Sequence, residues 1–158
     1  MKTPWMEMTV REFQSALASS SATPGGGTAA AIALGQASAL TIMVCDLTIG
    51  KDKWSDGWKI SEEAMLLSVK LMSRAGELAD EDSDAFDNVM ESFRLPKDSD
   101  EEKEVRKNAI KDATITATEK PFETAELALE LLRILPELAK KGNANAVSDV
   151  GVASLLAS

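Results

Sequence analysis

At 158 residues the chain has room for one domain around one core and is short for two. Aromatic residues are only 4%, with no tyrosine, while Ala, Leu, Glu, Lys and Met are plentiful, so the composition favours helices over sheets and predicts an all-α protein. A net charge of −9 argues against a nucleic-acid partner, and the absence of any histidine excludes Ser-His-Asp and Cys-His catalysis and most zinc sites.

The opening residues lack the basic and apolar regions of a signal peptide, and the single Cys45 fits a reducing compartment. A cytoplasmic protein is expected. "TVRE" at 9–12 fits a capping box, so a first short helix is expected to run through Ala18. "TPGGGT" follows, and a second helix is predicted from Thr28 to about Thr48, closed by Gly50. Small residues recur in it at Gly27, Ala31, Gly35 and Ala39, a strip that lets another helix approach closely. The apolar run 29–49 also carries Gln36, Ser38, Thr41, Asp46 and Thr48, which suits a buried core helix better than a membrane span. Cys45 within it reads as a small core residue.

"KDKWSDGWK" at 51–59 reads as a polar loop with two tryptophans. A long helix is predicted from Ser61 to Arg94, stopping before Leu95-Pro96. "SDEE" at 99–102 is a second capping box, opening a helix to about Thr118 whose acidic first turn suits the helix dipole. Pro121 begins or kinks the next helix, which runs to Lys141 with Gly142 as its cap, and Pro136 is expected to kink it. After "NANAVSD" a last helix begins near Ser148 or Asp149. The expected architecture is a single-domain bundle of about six helices with one long central helix, the seven methionines filling its core.

One charged residue breaks the pattern of the long helix. Its apolar stripe runs through Leu67, Leu71, Ala75, Leu78, Ala85/Phe86, Val89 and Phe93, in steps of three or four. Asp82 lies four after Leu78 and four before Phe86, whereas Asp80 and Asp84 point to other faces. A carboxyl placed on a buried face is costly unless paired, and desolvation raises its pKa toward the range useful in general acid–base catalysis. The competing reading is a kinked helix that lets Asp82 reach water.

The glycine run also has two readings. It is not a Walker loop, because no Gly-Lys-Ser/Thr follows, and no strand precedes it as a Rossmann turn would require. Either it is a tight turn before a closely packed helix, or it lets ligand atoms approach unpaired N–H groups at a helix start. "GNANAVSD" at 142–149 is likewise either a connection between helices or a ring of ligand contacts.

Taken in order, "TPGGGTAAAIALGQASAL", the Asp82-x-x-x-Phe86 element, "LPK" and "GNANAVSDVGVA" resemble the cyclodeaminase / methenyltetrahydrofolate cyclohydrolase family. The likeness covers the chain from about Thr9 to its end. It implies an all-helical homodimer that takes a tetrahydrofolate derivative as its substrate, with no metal and no redox cofactor. Cyclodeaminase members convert formimino-tetrahydrofolate to methenyl-tetrahydrofolate and ammonia, the reaction expected first for this chain, and others interconvert methenyl- and formyl-tetrahydrofolate with water, the alternative. The resemblance makes Asp82 the catalytic residue. It places Pro24, Gly25, Gly26, Gly27 and Thr28, with Asn143, Asn145, Ser148 and Asp149, around the folate. Lys97 and Arg106 match basic positions suited to the anionic glutamate tail. Relatives continue for a few tens of residues more, so the 158 residues are read as one cyclodeaminase-like domain whose C-terminal family helices are missing. The competing class is a helical domain that binds folate or a protein partner without catalysis.

Overall fold

The computed structural model describes residues 3–158. Five α-helices carry the fold: α1 (Val10–Leu17), α2 (Gly26–Thr48), α3 (Trp58–Ser92), α4 (Asp100–Lys141) and α5 (Val147–Leu156). Short 3-10 turns at Trp5–Glu7, Asp52–Gly57 and Ala144–Ala146 connect them, and among the described residues there is no strand. Both capping boxes form. Glu12 N donates to Thr9 Oγ1 at 3.2 Å while Thr9 N donates back to Glu12 Oε2 at 2.8 Å, and Ser99 and Glu102 repeat the exchange at 3.1 Å each way.

α2 is the central helix, covered by α3, α4 and α5. It is long and apolar enough to cross a bilayer, with a mean hydropathy of 1.7 over its best window, yet its surroundings are other helices of the same bundle. Buried Ser38, Thr41 and Thr48 return their hydroxyls to the carbonyls of Leu34, Ala37 and Val44 at 2.8–2.9 Å, which satisfies these groups without water. The small-residue strip faces α3: Ala31 is fully buried, and a methyl on Gly35 would meet the Ala75 methyl at 3.7 Å. Leu34, Ala37, Val44, Cys45, Leu71, Leu131, Leu135 and Leu138 build the main core.

The bundle departs from expectation in five places. First, the two helices expected on either side of Pro121 are one 42-residue α4. Proline removes one backbone bond and crowds the preceding turn, at about 3 kcal/mol. Ion pairs to α3 flank the break: Lys120 Nζ meets Glu81 at 2.8 Å and Glu123 meets Arg74 at 2.7 Å. Pro136 sits between buried Leu135 and Leu138. Both prolines thus lie inside one continuous helix.

Second, α2 starts at Gly26 and α3 at Trp58, earlier than the sequence suggested. The Trp58 indole N–H donates to the Thr48 carbonyl at 3.1 Å, sealing the end of α2, and Gly50 turns the chain with φ of 75° as expected of a left-handed stop. Third, the apolar stripe of α3 is buried only through Ala85; Phe86 is 44% and Phe93 52% exposed. At about 1.5 Å per residue α2 spans roughly 35 Å against roughly 52 and 63 Å for α3 and α4, so the α3–α4 hairpin runs on past the start of α2. Fourth, Met6, Met43, Met72 and Met90 are exposed rather than core filler. Close approach through Ala and Gly leaves the core little volume for thioethers. Met1 lies outside the described residues. Fifth, Asp80 is half-buried, not a solvated charge: Oδ1 accepts the Trp5 backbone N–H at 2.9 Å.

Candidate active site

Asp82 faces the start of α2. Because α2 and α3 run antiparallel, residue 82 comes level with Gly27 and Thr28. Thr28 is fully buried, and its hydroxyl donates to Asp82 Oδ2 at 3.0 Å. Thr28 Oγ1 also lies 2.8 Å from Ser83 Oγ, which accepts the Trp5 indole N–H at 2.9 Å. An indole N–H only donates, and each hydroxyl has one proton. The chain of bonds therefore has one direction: Trp5 donates to Ser83, Ser83 to Thr28, and Thr28 to the carboxylate. Asp82 Oδ2 is held, while among the described residues Oδ1 has no donor. Asp82 is half-buried, neither sealed in the core nor free in solvent.

The glycine run serves two purposes. A Cβ at Gly27 would overlap the Asp82 carboxyl group, 2.6 Å from Cγ and 2.7 Å from Oδ2, so Gly27 is the position that lets the carboxylate lie on the helix backbone. A methyl on Gly26 would meet nothing within 4 Å, and one on Gly25 only the Ala22 carbonyl at 3.8 Å. Gly25 caps α2 without any side-chain bond, so the first-turn N–H groups are left for another acceptor. Buried Pro24 precedes them, and Thr23 Oγ1 donates to Asp87 at 2.9 Å, tying this turn to α3 one helical turn beyond Asp82.

Beside this site runs a charge network that locks α3 to α4. Arg74 binds Glu81 through two nitrogens at 2.6 and 3.0 Å, Glu123 at 2.7 and 3.0 Å, and Glu77 at 2.9 Å. Its hydrogen bonds to Glu123 and Glu81 raise the Arg74 pKa. Bonding to Arg74, then to Lys120, holds the Glu81 carboxyl down to about 2. Burial pushes the Cys45 thiol up to about 12, which makes it an inert core residue.

The remaining expected residues lie elsewhere. Arg106 sits on the outer hairpin, its guanidinium 5.5 Å from the Phe93 ring centre and donating to the Phe93 carbonyl at 3.2 Å. Lys97 is exposed in the connection between α3 and α4. Asn143 is bound to the far end of α2, its side chain donating to the Leu47 carbonyl at 2.9 Å and its backbone N–H to Thr48 at 3.0 Å. Asn145 donates its N–H to Asn143 at 3.0 Å, and Ser148 and Asp149 open α5 beside it. Within one chain about 30 Å of α2 separates this cluster from the glycine turn. The structure therefore joins Asp82 with Pro24–Thr28 and leaves the Asn/Asp cluster at the opposite end of α2. Sequence reasoning missed Ser83 and Trp5. A hydroxyl next to Asp82 was a readable hint, but nothing local signals that an N-terminal indole reaches residue 83.

Known proteins resemble the chain over nearly its whole length. A family model described as formiminotransferase-cyclodeaminase matches residues 9–158. A methenyltetrahydrofolate cyclohydrolase from Methylorubrum extorquens is 41% identical over 149 residues, covering 94% of this chain and 72% of the relative. A formimidoyltransferase-cyclodeaminase from Mus musculus is 30% identical over 149 residues, and the chain spans 28% of that longer protein. The crystal structure of a formiminotetrahydrofolate cyclodeaminase from Thermotoga maritima superimposes with a TM-score of 0.82 at 27% identity, covering 96% of this chain and 72% of that one. With the match running through the glycine turn, Asp82 and the 142–149 loop, the chain belongs to the formiminotransferase-cyclodeaminase family of enzymes.

Proposed function

We propose that the protein is a folate one-carbon enzyme that hydrolyses methenyl-tetrahydrofolate to formyl-tetrahydrofolate, with Asp82 moving the protons. The observation that carries this reading is the carboxylate fixed by the Trp5–Ser83–Thr28 chain beside the start of α2, whose first-turn N–H groups have no side-chain cap among the described residues. Hydrolysis requires a base to take a proton from the water that adds to the one-carbon unit. The same group then returns that proton to the ring nitrogen as its carbon–nitrogen bond breaks, and the remaining hydroxyl proton is lost to solvent as the formyl carbonyl forms. One carboxyl, free at Oδ1 and anchored at Oδ2, does both in turn. Neither transfer calls for a metal or a redox cofactor.

The 41% identity to a cyclohydrolase favours hydrolysis. The second reading, cyclodeamination of formimino-tetrahydrofolate, is favoured by the Thermotoga maritima cyclodeaminase likeness and uses the same residue: the folate amine attacks, losing a proton that ammonia carries away. Gly25, Gly26, Gly27 and Thr28, behind Pro24, would cradle the one-carbon end of the folate, and Lys97 and Arg106 the glutamate end. Asn143, Asn145, Ser148 and Asp149 join this site only if a second copy of the chain supplies them, which is the role we assign to a homodimer. The acidic composition and the lone thiol fit work in the cytoplasm.

The test is the near-ultraviolet absorbance of methenyl-tetrahydrofolate. A band that falls faster than the uncatalysed rate supports hydrolysis; a band that rises from formimino-tetrahydrofolate supports cyclodeamination. Neither change would leave a binding domain without catalysis.

A further inference from the structure

Phe86 lies one turn beyond Asp82 on the same face of α3 and is 44% exposed, although nothing in a helix surface requires a bare phenyl ring there. Phe93 continues the stripe two turns on and is 52% exposed. The stripe ends at the Arg106 guanidinium, which packs on Phe93 and whose Nε, buried, has no partner among the described residues. From Asp82 to Phe93 is 11 residues of helix, about 16 Å. Carboxylate, ring, ring and guanidinium thus follow one another along a single line.

We infer that this line is a track for the aminobenzoyl-glutamate arm of the substrate: Phe86 stacks on the aminobenzoyl ring, and Arg106 meets the glutamate carboxylates. This rests on the folate reading above but assigns a residue that reading does not use. Two features of the line select this occupant. Its polarity runs from the reacting carboxylate through aromatic surface to a cation, the order in which such a substrate carries its one-carbon unit, its ring and its anionic tail. It is also continuous with the Asp82 site, so a ligand bound at Asp82 must extend either along it or into solvent. Phe86 is a positioning residue in this account: it holds the reacting end over Asp82 without touching the atoms that change bonds.

The experiment measures binding of p-aminobenzoyl-glutamate by calorimetry, and KM and kcat for methenyl-tetrahydrofolate, in the wild-type chain and in Phe86→Ala, Phe86→Tyr and Arg106→Gln. Phe86→Ala is expected to weaken fragment binding and raise KM by about tenfold, with a much smaller fall in kcat, and Phe86→Tyr to restore both. Arg106→Gln is expected to weaken p-aminobenzoyl-glutamate but not p-aminobenzoate. Unchanged fragment affinity and KM in Phe86→Ala would overturn the inference. So would a raised KM accompanied by a change in molecular mass in solution, which would assign the ring to contacts between copies. A wild-type chain that binds the fragment through Phe86 yet converts no folate would sink the catalytic reading while sustaining the track.

Discussion

Gly27 carries a tight constraint: its missing side chain is the space that the Asp82 carboxyl group occupies. Gly27→Ala is therefore expected to separate activity from stability. The added methyl improves helix propensity by about 0.5–1 kcal/mol but displaces the carboxylate, and a shift of about 1 Å in a catalytic group costs about 100-fold in turnover. Thermal denaturation together with the methenyl absorbance assay would check this; equal losses of both would mean that Gly27 only packs helices. At this scale the sequence was partly legible. Asp82 stood out because a carboxyl interrupted an apolar period, and Gly27 because it joined a strip of small residues. Thr28 was named, but its partner Ser83 and the Trp5 indole that donates to Ser83 were not, since hydrogen bonds spanning 55 and 78 residues leave no local pattern.

The helices obey their caps more faithfully than their breakers. Thr9 and Ser99 start α1 and α4 as their capping boxes require, whereas Pro121 and Pro136 end nothing, because packing along α3 outweighs one lost backbone bond each. The α3–α4 contact is pH-sensitive. Glu81 holds its proton less tightly in the fold, at about 2, than the ordinary 4.5. Its network therefore adds stability above about pH 4.5 and loses it as pH falls toward 2. Thermal midpoints of the wild-type chain should fall over that window, and Glu81→Gln should flatten the fall; parallel curves would contradict the assignment. Gly57 offers a test at the other end of α4. A methyl there would overlap the Lys141 carbonyl group, 2.7 Å from its carbon, a clash with backbone that cannot rotate away. Gly57→Ala is expected to cost about 1–3 kcal/mol in chemical denaturation, and a variant as stable as wild type would contradict this contact.

The all-helical bundle was legible from composition and period, because Ala-rich, aromatic-poor sequence with 3.6-residue spacing admits little else. What the period could not show is where neighbours stop. Beyond Asp82, Phe86 and Phe93 carry on the stripe of Leu71 and Leu78, yet α2 does not reach beneath them and both are exposed. The same geometry sets the functional problem of the whole molecule. One end of α2 carries the glycine turn and Asp82, the hairpin beyond carries Arg106 and Lys97, and the opposite end carries Asn143 and its neighbours. The fold thus presents the half-buried Asp82 carboxylate at the root of a long open hairpin.

The claim that Asp82 carries the protons is tested most directly by comparing Asp82→Asn with the wild-type chain. The two readouts are methenyl-tetrahydrofolate turnover and folate affinity under the same conditions. The amide keeps the shape and can still accept from Thr28, so the account predicts turnover lowered by at least about 100-fold with affinity and helicity nearly unchanged. Turnover within a few-fold of wild type would contradict it, and the carboxylate at the start of α2 would then be a structural contact.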